Sequence, residues 1–546
     1  MIHARRPNPV SDRPRIAATL ALLASFALLS AAFVRADTAD PKASLAQGIA
    51  SVMHKPRYAR AAWSLLVTDL GSGKTLYELS PDRLAFTGSV RKLFSVGVAL
   101  NALGAGHRFR TPVYRRGSVQ GDGTLKGDLV LVGAGDLTLG GRLKPDGAIA
   151  FTDFDHNDAN NLLTAILTPQ DSLRGLDDLA RQVRAAGIHS VTGDVVVDDR
   201  LFDSYRVPNG NLLITPIIVN ENNVDVWITP TQVGKPARVE WRPKTAAFDV
   251  NATVNTVAAG QPTNVKLSGD GANDCTALAA CKGTVTGTIA VGYTAPLSGS
   301  GTLVRTFRIQ DPASFARTAF VAALAKAGVS VRGAPLTAKN PADRLPPPGS
   351  YASQMRVAEL ISPPYAQYAK LILKVSLNLG ANLSLSLFGL TRGQRTVAGA
   401  LAAERTTLVD QMGIKAGDFD FPTNGSGSPD SRAAPRATVQ LLAAMSKGSN
   451  FAAYRASLPI LGVDGSLAGT GRSLPAKGHV FAKTGTTIDD TGLKAQVLAG
   501  YIDARSGRHL AFALYVNHVG PIESIADVAN VFEDQAAIVN AIYEAN

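Results

Sequence analysis

Phe86-Thr87-Gly88-Ser89-Val90-Arg91-Lys92-Leu93-Phe94 opens a segment with apolar side chains at Val90, Leu93, Phe94, Val98 and Leu100, and the pattern stops before Gly104 and Gly106. That spacing predicts a buried helix over 89–103. Residues three apart share a helix face, so a serine in the first turn has the Lys92 amine beside it. A serine hydroxyl is a weak nucleophile until a base takes its proton. A lysine serves as that base only when desolvation and a neighbouring cation favour its neutral form. Taken alone, Ser89 and Lys92 read as an ordinary helix start with a solvated lysine.

On the N-terminal side of this helix, Trp63 to Leu70 reads as a strand that turns at Gly71-Ser72-Gly73 into a second strand near Lys74 to Leu79. A short helix at 41–54 precedes the hairpin. On the other side the texture changes: from about 107 to 345 the chain is Gly-punctuated β sequence, as in 127–139 and 193–202, with a helix pattern near 176–187. Residues 231–305, rich in Thr, Val, Gly and Asn, suit a β-rich subdomain. The run Arg344-Leu345-Pro346-Pro347-Pro348-Gly349 fixes an extended connector. Helical patterns resume over 356–390 and 394–412, and the chain closes with strands at 480–484, 495–502 and 509–516 and a helix at 524–545. The closing strands can complete the sheet begun by the hairpin. The expected class is α+β, an antiparallel sheet covered by helices and interrupted by a large insertion. The expected division is a leader (1–36), a first part of the main domain (37–106), an inserted region of two subdomains (107–345) and a second part (346–546).

With 546 residues, 45% apolar and 18% charged, the chain can bury a large core and is not disordered as a whole. Arg5, Arg6, Arg13 and Arg15 precede an uncharged run from Ile16 to Val34, and small residues at Ser30-Ala31-Ala32 and Ala36 suit a signal peptidase. The run is also near the length of a membrane anchor. Either way the body of the protein is expected outside the cytoplasm. Cys275 and Cys281 are close enough to close a small loop in an oxidising compartment, and a structural disulfide is expected. The net charge of +12 falls to +8 once 1–36 is removed. So modest and dispersed a surplus implies attraction to an anionic surface, including peripheral contact with a membrane, and not a nucleic-acid groove.

Two further patterns follow the first in order, Ser376-Leu377-Asn378 and Lys483-Thr484-Gly485. Alone, the former reads as a capped turn and the latter as a strand with a bend at glycine. Only Ser89, among all the serines, has a lysine three residues on, and Lys-Thr-Gly occurs once. Lys483 is the candidate for the second cation that would serve Lys92. The joint order in an exported chain is what carries weight.

In this combination the sequence resembles the class C, low-molecular-mass penicillin-binding proteins of the D-Ala-D-Ala carboxypeptidase/endopeptidase group (peptidase family S13), related to the serine β-lactamases. The SxxK, SxN and KTG triplet with a long insertion between its first two members is that group's arrangement. Supporting stretches are GDLVLVGAGDLTL, VTGDVVVDDRLF, Asn220-Glu221-Asn222, NGSGSPDSR at 424–432, and AKTGT followed by LAGY. The resemblance implies a penicillin-binding, β-lactamase-like transpeptidase domain with a helical lobe. It implies no metal or other cofactor, peptidoglycan stem peptides as substrates and β-lactams as covalent inhibitors. Ser89 would attack, Lys92 take its proton, Ser376 relay a proton to the leaving amine, and Asn378 hold the acyl-side amide. Lys483, Thr484 and Thr486 would grip the terminal carboxylate. The Ser89 and Thr486 N–H groups would bind the oxyanion, with Gly485 between the two threonines. Asp198 matches an inserted-region aspartate that in relatives faces the active site and would bind a diamino-acid side chain.

The match departs from the pattern at Leu377, where the group usually has a polar residue. Alternative classes are a β-lactamase or esterase of the same fold, and a catalytically inactive wall-binding protein. The stretch 140–172, with Phe151-Thr152-Asp153-Phe154-Asp155-His156-Asn157-Asp158, has no counterpart in the resemblance. Asp153, Asp155 and Asn157 alternate as Ca²⁺ ligands do, but Asp158 stands where such a loop needs glycine and no glutamate closes it. A solvated surface loop is expected. The Gly-Ser-Gly run at 425–427 is expected either to line the cleft or to form a turn.

Overall fold

Strands Ala62–Asp69, Thr75–Leu79, Val480–Asp489, Gly492–Asp503 and His509–Gly520 form one five-stranded antiparallel sheet in which the first and last strands of the chain are neighbours. Trp63 pairs with Val516 and Val67 with Phe512, so the N-terminal hairpin is completed by the C-terminal strands, as the sequence implies. The computed structural model describes residues 41–268, 281–333 and 335–546. The leader 1–36 and Cys275 lie outside the described residues. Cys281 begins the strand Cys281–Ala290 and is half-buried.

Side chains alternate across a strand, and here both faces are covered. Leu66, Val497, Ala499, Ala513 and Tyr515 share a core with Leu93, Phe94 and Val98 of helix Lys92–Leu103. Leu65, Val67, Leu498, Phe512 and Leu514 point the other way, against Leu45 and Ile49 of helix Pro41–Met53 and Val539 and Ile542 of helix Ile525–Ala545. Helices Tyr365–Lys374, Asn378–Thr391 and Pro435–Ser446 join the first of these cores and build the lobe beside the sheet.

Between the hairpin and this lobe, Thr124–Val132 and Val195–Asp198 pair in parallel within a six-stranded sheet, so the two similar Gly-Asp-apolar stretches lie side by side. Helices Arg174–Ala185 and Pro312–Lys326 cover it through Leu176, Leu179, Phe320 and Leu324. Two further three-stranded sheets occupy residues 223–308.

Two expectations change. Residues 356–361 are a strand, Arg356–Ile361, paired antiparallel with Arg110–Val119, and not the start of a helix. Pro363 and Pro364 bar helical backbone before them, so the helix begins only at Tyr365. The stretch 140–172 is not a solvated loop, since Arg142, Asp155 and His156 are buried. Arg142 Nη1 and Nη2 donate to Asp155 at 2.9 and 2.7 Å, and Arg142 Nε and Nη2 donate to Glu221 at 2.8 Å each. His156 bridges Glu221 and Asp225, and Arg242 Nε reaches Asp225 at 2.9 Å. Burial opposes a charge on His156, but the Asp225 and Glu221 carboxylates outweigh it and push the imidazole up to about 10. Burial likewise opposes the Glu221 carboxylate, which Arg142 and His156 hold down at about 2. Three cations and three anions satisfy one another in this cluster, the condition under which buried charge is tolerated.

Candidate active site

Ser89 lies in the 3₁₀ turn Gly88–Arg91 that leads into helix Lys92–Leu103. The turn puts Lys92 Nζ 2.6 Å from Ser89 Oγ. Ser89 is half-buried whereas Lys92 is fully buried, so the hydroxyl faces the cleft and the amine stands behind it. Lys92 Nζ also contacts Asn378 Oδ1 at 2.6 Å, Ser426 O at 3.2 Å and Ser376 Oγ at 3.3 Å.

The second pattern sits in the short connection between helices Tyr365–Lys374 and Asn378–Thr391. Ser376 has φ 60, a left-handed conformation unusual for a residue with a side chain, and such strain is held only where the surroundings impose it. Leu377 is 3% exposed and belongs to the core, which accounts for the departure from a polar residue: its side chain points away from the cleft that Ser376 and Asn378 face.

The third pattern lies on edge strand Val480–Asp489. Lys483 is fully buried, and its Nζ donates to Ser376 Oγ at 2.8 Å and to Thr484 O at 2.7 Å. Ser376 Oγ therefore stands between the two lysines. The strand approaches the Gly88–Arg91 turn backbone to backbone. A Cβ on Gly485 would lie 2.3 Å from Thr87 O, and one on Gly88 would lie 2.6 Å from Thr486 N. Glycine at both positions lets the Ser89 and Thr486 backbones sit side by side.

The structure thus gathers Ser89, Lys92, Ser376, Asn378 and Lys483 at one point, with Thr484, Gly485 and Thr486 on the adjoining strand. Asp198 is not drawn into this group. Its carboxylate accepts Arg200 Nε and Nη2 at 2.9 Å each and Tyr351 Oη at 2.6 Å. Burial opposes its charge, yet Arg200 and Tyr351 hold the carboxyl below its ordinary range. The 425–427 run forms a turn and also backs the site: Asn424 Oδ1 accepts the Ser426 and Gly427 N–H groups, and the Ser426 carbonyl meets Lys92.

Two contributors were not read from sequence. Asn382 donates to Asn378 O at 2.9 Å and accepts Gly425 N–H at 2.8 Å, tying the second pattern to the 424–428 turn. Its place four residues after Asn378 on one helix is a signal that could have marked it. Ser466, whose hydroxyl lies 2.7 Å from Thr484 Oγ1, carries no local sequence signal.

A serine with its lysine one turn on, backed by a second lysine on the edge strand of a helix-covered antiparallel sheet, defines the serine–lysine acyl-transfer hydrolases of the penicillin-binding fold. The chain belongs to the D-Ala-D-Ala carboxypeptidase 3 (S13) family, whose model matches residues 45–535. It is accordingly a serine-type hydrolase. A D-alanyl-D-alanine carboxypeptidase of Actinomadura sp. (strain R39) is 27% identical over 95% of this chain and 90% of its own length. Penicillin binding protein 4 of Haemophilus influenzae has the same fold, with a TM-score of 0.67 and 19% identity over 91% of this chain and 99% of that one. Its complex with a β-lactam matches with a TM-score of 0.65 and 20% identity, covering 91% and 99%.

Proposed function

We propose that this S13 hydrolase works outside the cytoplasm as a D-alanyl-D-alanine carboxypeptidase on peptidoglycan stem peptides, through an acyl-enzyme at Ser89. The carrying observation is that Lys92 Nζ stands 2.6 Å from Ser89 Oγ while Lys483 Nζ shares the Ser376 hydroxyl with it. As a neutral amine, Lys92 has two N–H bonds, for Asn378 Oδ1 and Ser426 O, and a lone pair facing the Ser89 hydroxyl. The Ser89 proton passes to that lone pair as Oγ bonds to the carbonyl carbon of the penultimate D-Ala. The oxyanion is met by the Ser89 and Thr486 N–H groups. Collapse breaks the C–N bond, and Ser376, between the two lysines, delivers a proton to the departing D-Ala amine. Asn378 holds the acyl-side amide, and Lys483, Thr484 and Thr486 grip the free carboxylate. Water then releases the acyl group and regenerates Ser89.

A β-lactam follows the same first step, but its leaving group stays attached in the site, which supports stable covalent labelling. The same carbonyl chemistry serves a cross-link as well as a chain end, so endopeptidase action belongs to this reading. Asp198, engaged by Arg200 and Tyr351, would reach a diamino-acid side chain only by exchanging those partners. We assign the first 36 residues as a cleaved export signal on their sequence pattern. Among the described residues no helix is long and apolar enough to cross a membrane. The surplus positive charge favours loose association with the anionic wall or membrane surface. In the domain division, 37–106 and 346–546 form the catalytic unit around the inserted 107–345, and strand Arg356–Ile361 favours extending the inserted sheet past the Pro346–Pro348 connector.

Incubation of the purified protein and a Ser89→Ala variant with fluorescent penicillin and with a D-Ala-D-Ala peptide tests the reading. Wild type is expected to keep the label and release D-Ala, and the variant to do neither. An unlabelled wild type sinks the acyl-enzyme, and rapid loss of label favours a β-lactamase.

A further inference from the structure

Loop 150–157 makes contacts that its buried charges do not explain. On either side of Asp153 it is pinned to the ion cluster. Arg142 Nη1 donates to Ala150 O at 3.1 Å, and Asp155 accepts the Thr152 and His156 N–H groups at 3.2 and 2.9 Å. Asp153 itself is exposed and takes no part in the cluster. Its Oδ1 accepts the Gly465 N–H at 2.8 Å, across 312 residues.

Gly465 begins the 3₁₀ turn Gly465–Leu467, which touches the strand assigned to the substrate carboxylate: Ser466 Oγ lies 2.7 Å from Thr484 Oγ1. The same turn is clamped to the connection that carries Ser376. Lys374 Nζ contacts both Asp464 carboxylate oxygens at 2.6 Å, and a Cβ on Gly465 would lie 2.7 Å from Lys374 O. Asp464 Oδ1 also accepts the Ile460 N–H at 2.9 Å, which fixes the turn internally. One side of the turn therefore abuts the Ser376 connection, another reaches Thr484, and its leading N–H is held by a carboxylate from a rigid loop of the inserted region.

We infer that Asp153 is a positioning residue of the reaction: through Gly465 and Ser466 it fixes the Thr484 hydroxyl where the substrate's terminal carboxylate binds. The inference rests on the assignment of Thr484 to that carboxylate under Proposed function. The role requires an acceptor oxygen and no charge, because the partner is a neutral N–H. Asparagine at 153 therefore preserves it and alanine removes it. Loss of one such hydrogen bond frees the turn and weakens carboxylate binding by about tenfold.

The test uses the full-length enzyme with two substrates, an acylated peptide ending in D-Ala-D-Ala and the same peptide with its C-terminus amidated. Wild type is expected to prefer the free acid, and its preference tests the assignment of the carboxylate site. Asp153→Ala is expected to raise KM for the free acid about tenfold with kcat within twofold and kcat/KM for the amide unchanged. Asp153→Asn is expected to retain the wild-type preference. Ser466→Ala cuts the same relay one step later and should reproduce the alanine phenotype, and the double variant should be no worse than either single one. A wild type indifferent to the terminal carboxylate removes the assignment and the inference with it. If the preference stands but Asp153→Ala depresses both substrates equally, or Ser466→Ala leaves the preference intact, Asp153 is structural only and the inference is overturned. Should Asp153→Ala fail to fold, Ser466→Ala decides alone by the same criterion.

Discussion

Ser376 Oγ lies 2.8 Å from Lys483 Nζ, a single hydrogen bond that joins the connection between two lobe helices to an edge strand 107 residues later in the chain. Since Lys92 also approaches that hydroxyl, the proposed reaction has Ser376 pass a proton between Lys92 and the leaving amine. Ser376→Ala is expected to lower kcat for a D-Ala-D-Ala peptide by about 10²–10³-fold while Ser89 still labels slowly with penicillin, because a β-lactam needs no departing amine to leave the site. Stopped-flow labelling alongside D-Ala release separates the two effects. Equal loss in both would place Ser376 in acylation itself.

Lys92 stands closer to Ser89, at 2.6 Å, and is expected to matter for every acylation. Lys92→Met keeps the buried volume and removes the amine, and should slow both peptide turnover and penicillin labelling by about 10³-fold. The thermal midpoint checks the fold, because the change also removes a buried polar group from four oxygen partners. A well-folded variant that labels at the wild-type rate would transfer the base role to another residue.

The backbone approach of the third pattern makes a steric prediction. A methyl at position 485 would lie 2.3 Å from Thr87 O, well inside contact distance, and the atom it meets is backbone that cannot swing aside. Gly485→Ala is expected to push strand Val480–Asp489 off the nucleophile turn, cost about 1–3 kcal/mol of stability and reduce acylation by at least tenfold. Denaturant midpoints and penicillin labelling measure the two losses separately.

Most of the sheet was legible in sequence because its strands are bounded by turn residues, such as Gly71-Ser72-Gly73, and its helices by glycine stops, such as Gly104. The candidate site was legible because Ser89 and Lys92 share one helix turn and Lys483 begins a unique triplet. What sequence could not supply were contacts made across long separations. Asp153 meets Gly465, and Arg142 meets Glu221, through geometry that no local period encodes. The acidic stretch 153–158 reads as solvent-loving for the same reason: the buried partners of Asp155 and His156, which are Arg142 and the Glu221 and Asp225 carboxylates, lie outside it in the chain. Strand Arg356–Ile361 was hidden by its apolar continuity with the helix beyond Pro364.

The buried cluster gives stability a pH profile whose direction follows from its two shifted groups. His156 holds its proton more tightly folded, at about 10, than an unfolded histidine does at about 6.5. Its contribution is complete below about pH 6.5 and drains away as pH rises toward 10. Glu221, held down at about 2 against an unfolded value of about 4.3, contributes fully above that value and loses its contribution as pH falls toward 2. Thermal stability is expected to be broadest between about pH 4.5 and 6.5. The gap in unfolding free energy between wild type and His156→Gln should narrow from pH 6.5 to 10. A gap independent of pH over that range would show that His156 is neutral in the folded protein.

Leu377 offers the reverse of the usual experiment, since a polar residue put there makes the sequence look more like its family while working against this core. The side chain is 3% exposed and packs among apolar neighbours, whereas Ser376 and Asn378 on either side turn toward the cleft. Leu377→Asp must either bury a carboxyl group without a provided partner or rotate the connection to expose it. The first route costs about 2–4 kcal/mol. The second disturbs the Ser376 backbone, already at φ 60, and with it both lysine contacts. Leu377→Asp is therefore expected to lower the thermal midpoint by several degrees and to reduce D-Ala release more than Leu377→Met, which keeps the apolar volume. A Leu377→Asp enzyme with wild-type stability and turnover would mean that position 377 can reach solvent without moving Ser376.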